Sequence, residues 1–315
     1  MLIIFMYFGA LFPLNALQEP DTVVVTYTGD TVVREEYLVK INQEGDTIRC
    51  GFYNSFYRNG MPDQMGGYKK NNLSGEWRLF DRNGYLEQRV NYKKGKQHGS
   101  FEKYHIQTEE LSCYGRYRNN LLQGWIIFFT ENGSLLEKSL YKKNLREGKT
   151  TTYFESGGIR EVSKFQLGIR HGKRLYYLEA GGLIKSENYV SGRLQGQTVI
   201  YHVDSKVISQ KLSYRDNVLN GLHLTYYSSG QLKSECNYLD NKRIGRFVSY
   251  HENGVVMESG NYINGEKNGD WEVFDGNGVL VSSAFMQRGE ISGHLNIYND
   301  QGEIINRIDY DNAEE

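Results

Sequence analysis

A glycine recurs about every 24 residues along most of this 315-residue chain. The steps between these anchor glycines are 24 residues, except for two steps of 25. A fixed period of this size is typical of repeat arrays, in which each unit buries its apolar side against its neighbours. The period therefore predicts a single repeat array rather than two globular domains. The anchors are Gly51, Gly75, Gly99, Gly124, Gly148, Gly172, Gly196, Gly221, Gly245, Gly269 and Gly293.

The composition fits strands joined by tight turns. The chain has 25 Tyr and 35 Gly but only 3 Pro, and tyrosine favours strands while glycine favours turns. A net charge of −1 gives no overall attraction to nucleic acid, so we expect no nucleic-acid partner. A mean hydropathy of −0.61 excludes a polytopic membrane protein.

Each repeat has the sequence of a β-hairpin. In the unit that begins at Gly75, a strand of six residues is followed by Asn83-Gly84, which predicts a type I′ turn. Residues 86–92 form the return strand, and Gly95 begins a second turn that leads to the next anchor.

The other units have the same residue types in the same slots, which we name by their distance after an anchor (plus) or before the next one (minus). The plus-five residue is always aromatic, the minus-seven residue is aromatic or Met286, and the minus-four residue is always Gly or Asn. Gly and Asn tolerate a left-handed backbone, so steric demand explains the minus-four slot. Simple alternation along the strands predicts that the plus-five and minus-seven aromatics form the core face, with the plus-two and plus-four residues on the opposite face.

The predicted fold is therefore all-β, an elongated single-layer antiparallel β-meander solenoid of about eleven 24-residue hairpin repeats. About 22 strands at ~4.8 Å spacing would give a sheet roughly 100 Å long.

The full pattern is Gly-x-Trp-x-x-Tyr/Phe-x-x-Asn-Gly-x-Leu, followed by Tyr-x-x-Gly-x-x-x-Gly. It resembles MORN repeats in their bacterial variant, the YwqK-type family of toxin–antitoxin system antitoxins. The resemblance covers residues 51–310, and the units 75–98, 245–268 and 269–292 match best. It implies a hairpin array and an antitoxin role, although no residue in the sequence carries an antitoxin signature.

The first fifty residues depart from the pattern. Residues 1–17 contain a long apolar run followed by Asn15-Ala16-Leu17, which predicts a signal peptide cleaved near Ala16 and therefore export. No Lys or Arg precedes that run, so a buried first strand or a wrongly assigned start codon are the alternatives. Residues 21–50 are expected to form an atypical N-terminal β cap, and residues 51–315 the MORN-type array.

Sequence motifs give no support for an enzyme. The chain has no His-Glu-x-x-His, no paired Cys motif and no nucleophile elbow, so we expect no catalytic residue, cofactor or metal. The spacing of Cys50, Cys113 and Cys236 along the repeats places them too far apart for a disulfide, so all three should be unpaired.

Two sets of residues are candidate contact sites. Exposed aromatic residues are expected at Trp77, Trp125, Tyr176 and Trp271. A basic edge follows the return strands, and its candidate contact residues are Lys93, Lys94, Lys142, Lys143, Lys242 and Arg243. This edge either keeps the sheet soluble or contacts anionic lipid headgroups or an acidic partner.

These observations favour a non-enzymatic, exported scaffold that binds a protein partner or an envelope surface, such as an anionic membrane. One alternative, implied by the resemblance, is an antitoxin-type protein that masks a partner toxin. Another is a glycan or cell-wall binding array, although only three Trp occur in eleven units. Export favours a periplasmic, outer-membrane-associated or secreted location, whereas a retained leader would favour a cytoplasmic one.

Overall fold

A computed structural model of the chain describes residues 19–29, 31–203 and 205–310. The chain divides into two compact units, the first ending at Gly157 and the second beginning at Gly158. Every regular element in the described residues is a β-strand, and within each unit successive strands pair antiparallel, so the predicted all-β meander of hairpins is confirmed. The described part holds no helix that could cross a bilayer. The predicted signal peptide lies outside the described residues.

The first unit contains twelve strands in the part that the structure describes. They are β1 (Asp21–Thr26), β2 (Val33–Ile41), β3 (Thr47–Phe56), β4 (Pro62–Lys69), β5 (Asn72–Leu73), β6 (Gly75–Phe80), β7 (Leu86–Lys93), β8 (Lys96–Tyr104), β9 (Leu111–Arg118), β10 (Leu121–Phe129), β11 (Leu135–Lys142) and β12 (Leu145–Tyr153).

The second unit contains fifteen strands in its described residues. They are β13 (Ile159–Gln166), β14 (Ile169–Tyr177), β15 (Leu183–Val190), β16 (Arg193–Leu194), β17 (Gly196–Tyr201), β18 (Ile208–Arg215), β19 (Val218–Leu219), β20 (Gly221–Tyr226), β21 (Leu232–Leu239), β22 (Lys242–Tyr250), β23 (Val256–Ile263), β24 (Glu266–Phe274), β25 (Leu280–Gln287), β26 (Glu290–Tyr298) and β27 (Ile304–Asp309). The short strands β5, β16 and β19 are the leading pieces of β6, β17 and β20, so the eleven repeats supply the predicted 22 strands.

The first turn of the 24-residue repeats differs from the predicted type I′ turn. In the unit at Gly75, Gly84 is left-handed (φ 91°) but Asn83 is not. The Gly84 N–H donates to the Asp81 carbonyl at 3.0 Å, and Asp81 Oδ1 accepts the N–H groups of Asn83 and Tyr85. This is a type I turn followed by a left-handed glycine, a three-residue loop that needs one positive φ instead of two. The type I′ prediction for Asn83-Gly84 was therefore wrong.

The type I′ geometry occurs at the second turn. Lys94 (φ 52°) and Gly95 (φ 75°) are both left-handed, and the same pair of slots is left-handed in every repeat that has a following anchor. The predicted left-handed backbone at the minus-four slot is thus confirmed. The slot before it is equally left-handed, although it is occupied by residues as different as Lys70, Leu167 and Arg288. The backbone conformation of this slot is therefore set by the two-residue length of the loop and not by the type of side chain.

Two register shifts interrupt the hairpins that lie within one unit. All eleven anchors have a positive φ, between 68° and 112°, and the pairing with the preceding strand slips there: Tyr92 pairs with Gln97 but Val90 pairs with Phe101. A second shift lies between the plus-four and plus-five slots. Because each bulge changes which residues face the same side, alternation cannot be carried through a whole repeat.

The core is consequently built from different slots than expected. Plus-two residues pair with minus-nine residues across each hairpin, as Trp77 does with Val90, and together they form a row that crosses the strands, the core row. In the first unit the buried cluster is Trp77, Val90, Phe101, Cys113 and Ile126, with minus-seven tyrosines packed against it. The minus-seven slot is thus confirmed as part of the core. The plus-five aromatics are half-buried and lie outside the core clusters, so their predicted core position was wrong.

The core row of the second unit changes character along its length. Cys236, Tyr262 and Trp271 form an apolar cluster, whereas Arg174 and Glu187 occupy plus-two and minus-nine slots and pair with each other. One part of this unit is therefore held by ionic contacts and another part by apolar packing.

Candidate functional site

The second turns of each unit are joined into a continuous rim by hydrogen bonds between repeats. The Asn144 N–H donates to the Leu122 carbonyl at 3.2 Å, and the Leu122 N–H donates to Asn144 Oδ1 at 2.6 Å. The same pair of bonds ties Asn120 to Gln97. Where the minus-four residue is glycine, as at Gly95, the backbone bond alone is made. These bonds fix each turn against its neighbour, at about 10 Å per hairpin.

In the first unit this rim is strongly basic. Four consecutive second turns, at residues 69–72, 93–96, 118–121 and 142–145, contain no acidic residue, and all their side chains are exposed. We call their cations the basic rim: Lys69, Lys70, Lys93, Lys94, Lys96, Arg118, Lys142 and Lys143. The structure thus brings together four of the candidate contact residues and adds Lys96, which the sequence reasoning missed because it lies after the glycine.

The second unit does not continue the basic rim. Its described second turns carry four cations and also the acids Asp216, Asp240, Glu266 and Glu290, and Arg193 lies 3.5 Å from Asp216. Lys242 is exposed within this balanced set.

Arg243 is not a rim residue, contrary to its place on the expected basic edge. Its guanidinium donates to the hydroxyls of Tyr238 at 3.0 Å and Tyr262 at 2.8 Å and lies over the Tyr262 ring. These hydrogen bonds raise the pKa of Arg243 above its ordinary value. Arg243 lies two residues before the anchor, and its side chain is directed along the core face. Its charge is therefore bound by tyrosine hydroxyls of the core face instead of being exposed at the rim.

Two of the four aromatic candidates are core residues. Trp77 and Trp271 are each 4% exposed, and their Nε1 atoms donate to the Gly67 and Asn261 carbonyls. The expectation that they are exposed contacts was therefore wrong. The register shift beyond the plus-four slot puts the plus-two side chain on the core face.

The other two aromatic candidates remain at the surface to different degrees. Trp125 is 40% exposed, and Lys138 Nζ lies 4.8 Å from its ring centroid. Tyr176 is half-buried, and its hydroxyl donates to Glu187 at 3.0 Å. Burial and the neighbouring Glu187 raise the pKa of Tyr176, so this tyrosine belongs to an internal network.

That network is an ion cluster in the second unit that was not foreseen from the sequence. Arg174 pairs with Glu161 at 2.7 Å and lies 3.9 Å from Glu187, which also contacts Lys185. Burial acts to raise the pKa of both carboxyls, but Arg174 at Glu161 and Lys185 at Glu187 outweigh it, so both pKa values lie below the ordinary value. A charged pair in the plus-two and minus-nine slots is the signal that could have revealed it.

Histidines and cysteines have structural positions. His105, His202 and His251 follow the plus-five aromatic, and the Nε2 of each lies within hydrogen-bond distance of the plus-five carbonyl of the next repeat, at 3.2, 3.1 and 2.9 Å. The three cysteines are unpaired, as predicted. In the described residues no group of three or more His, Cys, Asp or Glu side chains is placed to hold a metal ion.

The hairpins, the core row and the bonded rims define a repeat scaffold built from β-hairpins. The family model described as MORN repeat variant matches residues 73–94, 219–240 and 243–264. These matches support MORN-type repeats in both units. No curated protein matches the chain.

Among solved structures, the chain is similar to the crystal structure of TcdB2-TccC3-Cdc42, with 12% identity, a TM-score of 0.19, and coverage of 94% of this chain and 19% of that one. It is also similar to the crystal structure of TcdB2-TccC3, with 11% identity, a TM-score of 0.20, and coverage of 90% of this chain and 19% of that one. The structure of the Photorhabdus luminescens Tc holotoxin pore with a TccC3 mutation is similar with 13% identity, a TM-score of 0.12, and coverage of 93% of this chain and 23% of that one. The chain thus spans about a fifth of these proteins, and the likeness carries no argument about function.

Proposed function

We propose that this protein is a non-enzymatic repeat scaffold that binds an acidic protein partner through the basic rim of its first unit. The observation that carries the proposal is the run of eight exposed cations on four adjacent turns without one acid among them. None of the eight lies in an ion pair within the described structure. Their charge is therefore directed to solvent.

A protein partner fits this rim better than a lipid surface does. Hydrogen bonds between repeats hold the turns in fixed order and spacing. A rigid row of charges selects a partner whose acids have the same spacing, because electrostatic complementarity fixes register and suppresses wrong partners. A fluid bilayer imposes no such spacing.

The test removes charge without changing the turns. The fourfold variant Lys93→Gln, Lys94→Gln, Lys142→Gln and Lys143→Gln should lose most of its binding to poly-glutamate. Wild-type binding should weaken with salt, because exposed charges are screened over about 8 Å at physiological ionic strength. Biolayer interferometry across a salt series measures both effects.

The second unit supplies a matched control. Arg193→Gln, Arg215→Gln, Lys242→Gln and Arg288→Gln remove the same number of exposed second-turn charges and should leave binding nearly unchanged. Equal loss in both variants, or no salt-sensitive binding by the wild type, contradicts the proposal. Binding to vesicles containing phosphatidylglycerol but not to poly-glutamate would favour an anionic membrane surface instead.

We further propose that the scaffold is exported, which the apolar run in residues 2–14 supports. Sequencing of the mature N-terminus after expression tests this, and a start near Leu17 is expected. An intact leader would favour the alternative of a cytoplasmic, antitoxin-type protein that masks a partner toxin. The glycan-binding alternative is weakened by the burial of Trp77 and Trp271, since stacking on sugars needs exposed rings.

A further inference from the structure

The cations of the basic rim occupy slots that recur from turn to turn. The minus-six residue is a cation in all four turns, and the minus-five residue is a lysine in three of them. Minus-six and minus-three residues are paired across each turn, and paired residues on neighbouring strands share a face of the sheet. Their side chains therefore form one line along the rim, which we call the rim row: Lys69, Asn72, Lys93, Lys96, Arg118, Leu121, Lys142 and Leu145.

The rim row changes from polar to mixed along its length. Its minus-three residues are Asn72 and Lys96 in the first two turns, and Leu121 and Leu145 in the last two. The two leucines are 37% and 45% exposed, and each lies opposite the minus-six cation of its own turn. A partner that covers the rim row therefore needs acids along its whole length and apolar side chains beside the last two turns.

The spacing of the rim row is set by hydrogen bonds at the turns themselves. The Gly95 N–H donates to the Leu73 carbonyl at 3.0 Å, and the N–H groups of Asn120 and Asn144 make the equivalent bonds to the turns before them. Neighbouring strands thus stay at hydrogen-bonding distance up to the rim. The rim row therefore has one side chain every ~4.8 Å and one minus-six cation every ~10 Å.

An α-helix matches this spacing better than other regular backbones do. At a rise of ~1.5 Å per residue, seven residues of helix span ~10.5 Å, close to one hairpin. The first and fourth positions of each heptad share a face, so that face has a side chain about every 5 Å. A strand places same-face side chains ~6.6 Å apart, and polyproline II offers one every ~9.3 Å. Of the three, the helix meets both the minus-six and the minus-three residues in step.

Building on the proposed function of the basic rim, we propose that its acidic partner presents an amphipathic α-helix, laid along the rim row with one heptad per turn. The first position of each heptad is acidic and faces a minus-six cation. The fourth position is apolar where it faces Leu121 and Leu145. A straight helix drifts by only ~20° per heptad from a seven-residue repeat, so four heptads stay close to four turns.

The test compares the binding of two synthetic helices to the full chain by biolayer interferometry. The matched peptide has four heptads with Glu at the first position, Leu at the fourth, and Ala and Gln elsewhere. The dispersed peptide has the same composition, with Glu and Leu spread around the helix, and circular dichroism checks that the two are equally helical. The matched peptide should bind about tenfold more tightly or better, because its acids alone can face all four minus-six cations together.

Variants of the chain test the apolar half of the match. Leu121→Ser combined with Leu145→Ser should weaken binding of the matched peptide by about fivefold, because apolar contact at two heptads is lost. Leu239→Ser combined with Ile263→Ser removes two exposed apolar side chains from second turns of the second unit. This control pair should leave the affinity unchanged.

Equal binding of the two peptides by the wild type overturns the helix, and an unchanged affinity in the Leu121 and Leu145 variant overturns the register. Poly-glutamate separates these failures from failure of the proposed function. Its like charges disfavour a helix, so it tests charge without heptad spacing. Binding of poly-glutamate with equal binding of the two peptides would leave an acidic partner in place and remove only the helix.

If the wild type binds neither poly-glutamate nor the matched peptide, the proposed function fails together with the helix.

Discussion

Core glycines in this protein are required by the size of the neighbouring side chain. Gly66 and Gly260 occupy minus-nine slots, and a Cβ on either would overlap the indole of Trp77 or Trp271. Neither glycine has a positive φ, so the demand is steric rather than conformational. Large plus-two and small minus-nine residues thus fill a shared volume, as facing positions in well-packed cores do.

Gly260→Ala should destabilise the second unit by about 1–3 kcal/mol, because the added methyl group forces the buried Trp271 to move. The measurement is the free energy of unfolding from urea titration. Gly276→Ala is the matched control, since a Cβ there meets open space, and it should be nearly neutral. Combining Gly260→Ala with Trp271→Phe should recover part of the loss. If Gly260→Ala alone proves neutral, the steric account fails.

At the residue scale, the sequence predicted the backbone conformation at the slots where the turn itself requires a particular residue type. The Gly or Asn at minus-four is left-handed because the two-residue turn requires it, and this can be read from residue type alone. Which side chains are buried depends on the bulges, and these were not foreseen. Trp77 was placed on the wrong face because the shift after the plus-four slot is a property of the pairing between strands.

At the element scale, first turns are tied to each other by the residue that follows the plus-five aromatic. The Tyr57 hydroxyl donates to the Phe80 carbonyl at 2.8 Å, and the Tyr227 hydroxyl donates to the Tyr250 carbonyl at 2.7 Å. Tyr27 makes the same bond from the atypical N-terminal strands to Phe56. Tyrosine and histidine share this slot because both reach one hairpin further along the sheet. The sequence showed the recurrence of histidine there but not its partner.

Tyr57→Phe should cost about 1 kcal/mol, the usual net value of one hydrogen bond, because it leaves the Phe80 carbonyl without this donor. Hydrogen exchange of backbone amides in residues 81–85 should speed up in the variant. Tyr85→Phe removes an exposed hydroxyl in the same pair of turns and should have no effect. Equal exchange in the two variants would show that these hydrogen bonds between first turns do not stabilise the turns.

At the scale of the whole molecule, the two units differ in what holds their centres. The first is stabilised by a cluster of large apolar side chains, and part of the second by the ion cluster around Arg174. The repeat period is the same in both, so this contrast lies entirely in the side chains of the core row. The same period can be read from the sequence of both units, and the plus-two residue Arg174 is the position at which they diverge.

Acid should destabilise the second unit through Glu161 and Glu187. Their pKa values are lowered in the folded state, so their stabilisation is present above the unfolded pKa, about 4.3, and is lost as pH falls through the lower folded value. Glu161→Gln should cost about 1.5–3 kcal/mol at neutral pH, because it removes a hydrogen bond to the charged Arg174, and should flatten the acid dependence.

Hydrogen exchange between pH 6 and pH 3, corrected for intrinsic rates, separates peptides of the two units and measures this effect. Glu252→Gln, an exposed residue of a first turn in the second unit, is the control and should keep the wild-type slope. An acid response in the second unit that is identical in the Glu161→Gln variant would show that the ion cluster is not its source.

The unequal turns have a consequence for how such a chain can change over evolutionary time. Both 25-residue repeats carry their extra residue in a first turn, yet His105 and His202 still reach the next repeat. By contrast, all of the second turns keep two central residues. The first-turn end of the hairpins therefore tolerates insertions, whereas the second-turn end requires a constant loop length. Lineages should diversify by lengthening first-turn loops, and gain or lose length elsewhere only in whole duplicated repeats.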